Sequence, residues 1–137
     1  MTTPATLSFL LMDAPYEQSR TATAFRLIDA ALRRGHGVRV FAYEGAVSLA
    51  MTAQKPHANA IHGRTVEEEA HPTPHLWVSA LLDLAKEQGV VIDWVNCGLC
   101  VDERGATDVV AGVRRGSPAD FWKMASESEN TLVIATR

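Results

Sequence analysis

The sharpest chemical feature of the sequence is a pair of cysteines separated by two residues. Cys97 and Cys100 lie in the segment NCGLCVDERG, which directly follows an apolar run that predicts a β-strand. The thiolate is the nucleophilic form of cysteine, whereas the neutral thiol reacts poorly. If a helix begins near Gly98, its free backbone N–H groups favour the thiolate of Cys97, and Cys100 lies within reach on the same helical face. The pair therefore suits sulfur chemistry, with Cys97 as the nucleophile.

Other interpretations of the cysteine pair stay open at this stage. Free cysteine is among the most buried residue types, so either thiol would also suit a small core position. Cys-x-x-Cys spacing occurs in redox dithiols and in halves of zinc sites, although the chain lacks a second cysteine pair. Residue types alone leave a nucleophile, a redox dithiol and a core residue as alternatives.

Four further residues are candidates for the surroundings of Cys97. Asp13 and Tyr16 follow the first predicted strand in the tetrapeptide DAPY, and Asn96 and Arg104 flank the cysteine pair. Ligands of open parallel α/β sheets bind at the carboxyl ends of the strands, so we expect these residues at the same edge as Cys97. Asp and Pro are also standard turn formers, and Arg104 equally suits a solvated helix face.

An irregular segment at residues 54–75 carries four of the five histidines, namely His57, His62, His71 and His75. Together with the cysteines, these side chains would offer nitrogen and sulfur ligands for zinc. Pro72 and Pro74 disrupt any helix that would align the second histidine pair, so we expect no metal. Neither a Gly-x-Gly-x-x-Gly nor a P-loop pattern follows the first strand, so we expect no cofactor. Long irregular segments are typical of lids, binding loops and oligomer arms.

Alternating strand and helix patterns surround these candidate residues. Short apolar runs predict parallel strands at Leu7–Met12, Val38–Tyr43, Val91–Val95 and Leu132–Thr136. Amphipathic spacing predicts helices at Ser19–Arg34, Pro74–Gln88 and Pro118–Ser126. Val109–Val113 indicates either a short strand or a loop. Because strand–helix alternation requires crossover connections, we predict an α/β fold with a mainly parallel sheet of about five strands and helices on both faces.

Length and composition bound the class of protein. The chain has 137 residues, of which 47% are hydrophobic and 21% charged, and its net charge is −3. These values predict a single globular domain over residues 1–137. The sequence has no basic stripe that would favour phosphate binding. No apolar run approaches the ~20 residues that a membrane helix requires. A signal peptide begins with a positively charged region, but no lysine or arginine precedes Arg20. We therefore expect a cytoplasmic protein without direct nucleic-acid or membrane partners.

Several motifs occur in a fixed order along the chain. The first strand ends in Asp13-Ala14-Pro15-Tyr16, and an alanine-rich helix leads through Gly35-His36-Gly37-Val38 into VFAYEGAV. Cys97 follows, eight residues before Gly105. In this order the chain resembles the DsrE/TusD-like small sulfurtransferases, which have a Pro/Tyr loop, a GHEV…VFFY…GV signature and a sulfur-carrying cysteine at these places. The resemblance covers nearly the whole chain and implies the DsrE-like fold, with flavodoxin-type layers.

This resemblance implies an intracellular sulfur carrier or sulfurtransferase. Cys97 would accept sulfane sulfur as a persulfide from a donor protein or a small persulfide, and would pass it to an acceptor thiol or partner protein. The resemblance also implies a homotrimer or homohexamer. Cys100, which tRNA-thiolation members generally lack at this place, would be an auxiliary or resolving thiol. Two alternatives remain: a non-catalytic scaffold or regulatory subunit of a sulfur-relay complex, and a Cys97/Cys100 dithiol redox protein.

Overall fold

The protein is built on one five-stranded sheet. A computed structural model describes residues 3–70 and 72–136. All hydrogen-bonded strand neighbours are parallel, in the order β4-β3-β2-β1-β5. The strands are β1 (Thr6–Leu11), β2 (Gly37–Ala42), β3 (Ile92–Cys97), β4 (Val113–Gly116) and β5 (Asn130–Ile134). The predicted α/β fold with a parallel sheet is confirmed.

Helices connect the strands and cover both faces of the sheet. They are α1 (Arg20–Arg33), α2 (Val66–Glu69), α3 (Pro74–Gln88), α4 (Gly98–Arg104) and α5 (Pro118–Glu127), with 3₁₀ helices at Glu44–Ala50 and Ala60–His62. Helices α1 and α3 pack against each other over one face, while α5 packs on β1 and β2 over the other. Within the described residues, no helix has the length and hydropathy that crossing a bilayer requires.

The main hydrophobic core lies between the sheet and the α1–α3 layer. Alternate residues of each strand point to this face, because side chains alternate along a β-strand. Trp94 of β3 is fully buried here, and the Phe25 ring of α1 meets it edge-on, with ring centroids 6.0 Å apart. Trp77 of α3 contacts the same Phe25 ring at 5.0 Å. These aromatic contacts fix the two helices on the sheet, and with them the ends of the strands.

A smaller apolar cluster lies on the opposite face, near the carboxyl ends of the strands. Its buried members are Phe41, Val47, Val95, Cys97, Cys100, Val101, Ala106 and Met124. Because α5 covers β1 and β2, the amino-terminal half of this face is left open over β3 and β4. A groove of about 410 Å³ results, which we name the ion-pair groove; it is lined by Arg39, Asp93, Arg114, Asp120, Lys123 and Glu127.

All four predicted strands are displaced by one or two residues at their ends, and the differences at β3 and β4 bear on the site. The predicted third strand ends at Val95, but β3 continues to Cys97, because Asn96 and Cys97 pair with Arg115 and Gly116 of β4. The fourth strand does not occupy Val109–Val113 but begins at Val113. Two consecutive arginines conceal this edge strand, since its charged side chains do not give an apolar pattern.

The irregular segment at 54–75 contains local structure and is anchored at both ends. Its interior holds the 3₁₀ helix Ala60–His62 and helix α2, and α3 begins at Pro74. The Gln54 side chain joins the ends, because its Nε2 donates to the Ser48 carbonyl at 2.8 Å and its Oε1 accepts the His75 backbone N–H at 2.9 Å. His71 lies outside the described residues.

Candidate functional site

Cys97 and Cys100 lie together at the carboxyl edge of the sheet. Cys97 is the last residue of β3 and the N-cap of α4, and Cys100 is in the first turn of α4. Both are free thiols in the smaller apolar cluster, with 1% and 5% of their surfaces exposed. The strand-to-helix transition predicted near Gly98 thus brings the two thiols close together.

A strained backbone turn after β2 holds the Cys100 sulfur. Glu44 has a φ of 51°, in the left-handed region that non-glycine residues rarely adopt. Its backbone N–H donates a hydrogen bond to Cys100 Sγ at 3.2 Å. Strain of this kind persists only where the surrounding structure imposes it, and it is concentrated at functional sites. The turn therefore contributes a fixed donor to the cysteine pair.

The surroundings of Cys100 favour its neutral thiol. Burial raises the pKa of Cys100 above its ordinary value of 9.0, and hydrogen bonding with the Cys97 side chain raises it further. The Glu44 N–H and the charge of Arg104 act in the opposite direction, with less effect. Cys100 is consequently protonated at neutral pH, and its S–H is available as a donor to the Cys97 sulfur.

A cation that the sequence prediction did not include lies beside the cysteine pair. Arg115 of β4 donates two hydrogen bonds to Asp102 of α4, at 2.8 and 2.6 Å. A methyl group at Gly98 would lie only 2.7 Å from Arg115 Nε, so the guanidinium group lies against the first turn of α4. The hydrogen bond to Asp102 raises the pKa of Arg115 most, and the charges of Asp102 and Cys97 add to it. We name Cys97, Cys100, Asp102 and Arg115 the thiol site.

One signal in the sequence could have identified Arg115. The Ser117-Pro118 pair was a recognisable helix start, and a parallel strand must end just before it. Residues 114–116 therefore had to lie at a strand's carboxyl end. Because the sequence indicates the strand or loop at Val109–Val113, it places Arg115 in the connection between that segment and the helix that begins at Pro118.

The loop after β1 is one strand removed from Cys97. Because β2 lies between β1 and β3, the loop that carries Asp13 and Tyr16 adjoins the turn at Glu44. Asp13 is buried and accepts a hydrogen bond from Arg20 Nε at 2.9 Å, which makes it an ion pair at the start of α1. Tyr16 is 68% exposed.

Asn96 and Arg104 lie closer to the thiols. Asn96 is buried, and its Nδ2 donates to the Val47 carbonyl at 3.2 Å, whereas its Oδ1 has no hydrogen-bond partner among the described residues. A cavity of about 190 Å³ adjoins this amide and Arg115. Arg104 donates to the Cys100 carbonyl at 3.4 Å and to Glu103 at 3.3 Å. Both residues support α4 and its connection to the segment after β2.

The described histidines are not assembled into a ligand set. His57 and His62 are exposed, and the His75 ring interacts with Thr73 and Gln54. Across residues 3–70 and 72–136, no group of three or more His, Cys, Asp or Glu side chains is placed to hold a metal ion.

The fold and the site define a parallel α/β protein with a buried cysteine pair at the carboxyl edge of its sheet. The chain belongs to the DsrE/DsrF-like family, whose model matches residues 6–134. It is 28% identical over 128 residues to the uncharacterized protein MK0008 of Methanopyrus kandleri, covering 92% of this chain and 91% of that protein. The crystal structure of the ychN protein from E. coli has the same fold, with a TM-score of 0.69, 19% identity, and coverage of 95% and 99% of the two chains. Family membership suggests a role in sulfur relay and partner proteins for that role.

Proposed function

We propose that the protein is a sulfur carrier that holds sulfane sulfur as a persulfide on Cys97. The observation that carries this proposal is the position of Cys97 at the carboxyl end of β3 and the start of α4, within hydrogen-bonding reach of the neutral Cys100 thiol. A hydrogen-bond donor stabilises a sulfur anion. Family membership supports the same chemistry.

The loading step requires no external oxidant. The Cys97 thiolate attacks the outer sulfur of a donor persulfide, R–S–S⁻, and forms a new S–S bond. The donor's S–S bond breaks, and R–S⁻ leaves with the electron pair. In the second step an acceptor thiolate attacks the outer sulfur on Cys97, takes it as a persulfide and releases Cys97 as a thiolate. Both steps are thiolate attack on sulfur, and their rates depend on the attacking and leaving thiolates.

Cys100 has an auxiliary part in this proposal. As a neutral thiol it donates to the Cys97 sulfur while sulfur is held. If it loses its proton and attacks the inner sulfur of the Cys97 persulfide, a Cys97–Cys100 disulfide forms and hydrosulfide leaves. That resolving reaction balances without an oxidant, but a dithiol reductant is needed to restore the pair. We therefore expect Cys100 to influence release of sulfur and not its loading.

Burial of the thiols favours a second candidate function. With Cys97 only 1% exposed, a donor must displace part of the surface before it reaches the sulfur. A non-catalytic scaffold or regulatory subunit of a sulfur-relay complex would need no such access. The close approach of the two thiols favours a third candidate, a dithiol redox protein.

Intact-protein mass spectrometry separates these candidates. The reduced protein is treated with inorganic polysulfide as the sulfane-sulfur donor, desalted and weighed, with Cys97→Ser and Cys100→Ser as matched variants. A carrier gains one sulfur atom in the Cys100→Ser protein, loses it again in dithiothreitol, and gains none in the Cys97→Ser protein. In the wild type a carrier retains a detectable fraction with one added sulfur, a dithiol redox protein only loses two hydrogens, and a scaffold changes in neither way. Normal loading of the Cys97→Ser protein would contradict the assignment of Cys97.

Assembly and location are proposed on the family resemblance. We propose a homo-oligomer, a trimer or hexamer, in the cytoplasm. Two large hydrophobic side chains, Leu99 of α4 and Trp122 of α5, are mostly exposed in the single chain and would gain from being covered.

A further inference from the structure

A cavity of about 190 Å³ lies beside Asn96, and we name it the Asn96 cavity. Asn96 pairs with Arg115 of β4 in the strand register, and Val113 is two residues earlier on that strand. Because side chains alternate along a strand, these three share one face of the sheet, and all three border the cavity. Neither cysteine borders it, and Cys97, the residue after Asn96, points to the opposite face. What the cavity binds therefore does not need to take part in sulfur transfer.

One wall of the cavity is the connection between α4 and β4, which backbone hydrogen bonds hold in place. Val109 of this connection borders the cavity. On one side of it the Thr52 N–H donates to the Asp108 carbonyl at 2.9 Å, and on the other the Val110 N–H donates to the Ala50 carbonyl at 2.9 Å. These contacts keep the wall in one conformation, so a ligand has little ordering of the chain to offset.

Asn96 has an unpaired hydrogen-bond acceptor next to this cavity. The residue is only 2% exposed, and its Nδ2 donates to the Val47 carbonyl at 3.2 Å. No group among the described residues donates to its Oδ1. The great majority of buried polar side-chain atoms in native proteins have a hydrogen-bond partner. Oδ1 therefore indicates a donor that comes from a molecule in the cavity.

The charged residues at the cavity are already paired, which favours an uncharged ligand. Both terminal nitrogens of Arg115 donate to Asp102, and Arg114 donates two hydrogen bonds to Asp93. An anion would have to compete with these carboxylates. A cation would find no acidic side chain among the described residues that border the cavity. The other contacts are mostly apolar and come from Val101, Ala106, Val109 and Val113.

We propose that the Asn96 cavity is a binding site for a small neutral molecule with an apolar body and an N–H or O–H group that donates to Asn96 Oδ1. An apolar cavity of about 150 Å³ holds benzene. The Asn96 cavity, at about 190 Å³, is large enough for a somewhat larger ring system. Because Oδ1 is itself closed to solvent, the ligand reaches it past Thr107 and Arg115, whose exposed side chains border the cavity. A neutral heteroaromatic ring with an N–H has this chemistry.

Titration with two compounds of the same shape tests the site. Indole carries an N–H donor, whereas benzofuran has an oxygen at that place and no donor. The isotope-labelled full chain is titrated with each compound, and nuclear magnetic resonance follows the backbone amides of residues 106–109 and the Asn96 side-chain amide. Indole should shift these signals to saturation. Benzofuran should bind about three- to tenfold more weakly, because one hydrogen bond is lost.

Two tryptophan substitutions locate the binding. Thr107→Trp places a large side chain at the exposed border of the cavity and should abolish the shifts. Asp108→Trp is the matched control, because Asp108 is the next exposed residue and does not border the cavity. It should leave the Kd for indole unchanged. Asn96→Leu should remove the preference for indole over benzofuran. If that variant does not fold, the two compounds and the tryptophan pair still decide.

Several results would overturn the proposal. One is the absence of shifts at these amides up to the solubility of indole, as expected if water alone fills the cavity. A second is equal affinity for indole and benzofuran, or an unchanged preference in folded Asn96→Leu. A third is an equal loss of binding in Thr107→Trp and Asp108→Trp, which would mean adventitious binding to the surface. None of these measurements depends on sulfur loading, so the proposed function stands or falls separately.

Discussion

The thiol site and the ion-pair groove both use an arginine of β4, yet they differ in what the arginine faces. Arg114 pairs with Val95 of β3 in the strand register and turns to the open face, where Asp93 and Asp120 accept its hydrogen bonds. Arg115, one residue later, forms a bidentate pair with Asp102 of α4 and lies against Gly98, the residue after Cys97. The groove is about 410 Å³ and lined by charges of both signs, whereas both cysteines of the thiol site are almost fully buried.

This comparison shows how one residue step along a strand changes the chemistry available to the same side chain. Successive side chains of a β-strand point to opposite faces. At Arg114 the partners are the two carboxylates Asp93 and Asp120, so the contacts are ion pairs. At Arg115 the partner is also a carboxylate, but it belongs to α4, the helix whose first turn carries Cys100. We expect the two regions to respond differently to substitution, to pH and to salt.

The largest expected effect is at Gly116, which adjoins both regions. A methyl group there would lie 2.5 Å from Val95 Cγ1 and 2.6 Å from Asp120 Oδ2, so Gly116→Ala forces the end of β4 away from β3. We expect a loss of about 1–3 kcal/mol in the free energy of unfolding, as for other overpacked sites. Urea denaturation measures it.

Gly98→Ala is the control for this substitution. The three atoms nearest to its methyl group all belong to the movable Arg115 side chain, and alanine favours the helix that follows. The loss of unfolding free energy should be clearly smaller than for Gly116→Ala. Equal losses would mean that the contacts of the Gly116→Ala methyl group with Val95 and Asp120 are not the cause of the destabilisation.

At alkaline pH we expect an intermediate loss of stability, which arises in the thiol site and not in the ion-pair groove. The pKa of Cys100 is raised in the folded protein above 9.0, so the unfolded chain releases this proton first as pH increases. The stability due to the neutral thiol is complete below that pH and is lost as pH rises towards the folded pKa. Between about pH 8 and pH 10 the Tm of the wild type should fall by a few degrees more than that of Cys100→Ser. Parallel Tm curves for the two proteins would contradict this.

The smallest loss of unfolding free energy is expected for a substitution in the ion-pair groove. Arg114 is about half exposed, so removing its pairs by Arg114→Gln should cost only about 0.2–1 kcal/mol of unfolding free energy. The cost should shrink further in high salt, which screens exposed charges. Denaturation at two salt concentrations checks both statements, with Asp93→Asn as the reciprocal variant. A larger loss that salt does not change would show that the groove contributes packing as well as charge.

The sheet and the strand-to-helix transition at Cys97 could be predicted from the sequence. The side chains that surround the thiols could be predicted less well. Apolar runs and amphipathic spacing identified four strands and the helices that connect them, because those patterns report burial directly. Placement of Cys97 between a strand and a helix followed from the same patterns. Arg115 could not be obtained in this way, because its contact with α4 depends on the pairing of β4 with β3, and an arginine-rich edge strand has no apolar signature. Asp13 follows the carboxyl end of β1, and its ion pair with Arg20 depends on the direction in which α1 begins, which no residue pattern reports.

The hydrogen bond from Glu44 to Cys100 has a consequence for how relatives are compared. The donor is a main-chain N–H presented by a left-handed turn, so the identity of the side chain at this position does not determine the contact. Glycine, asparagine or aspartate, which adopt the left-handed region readily, could stand at position 44 and present the same donor, whereas a β-branched residue would strain the turn and a proline would remove the donor. Part of this site therefore depends on backbone conformation, and a comparison of residue types alone does not detect it.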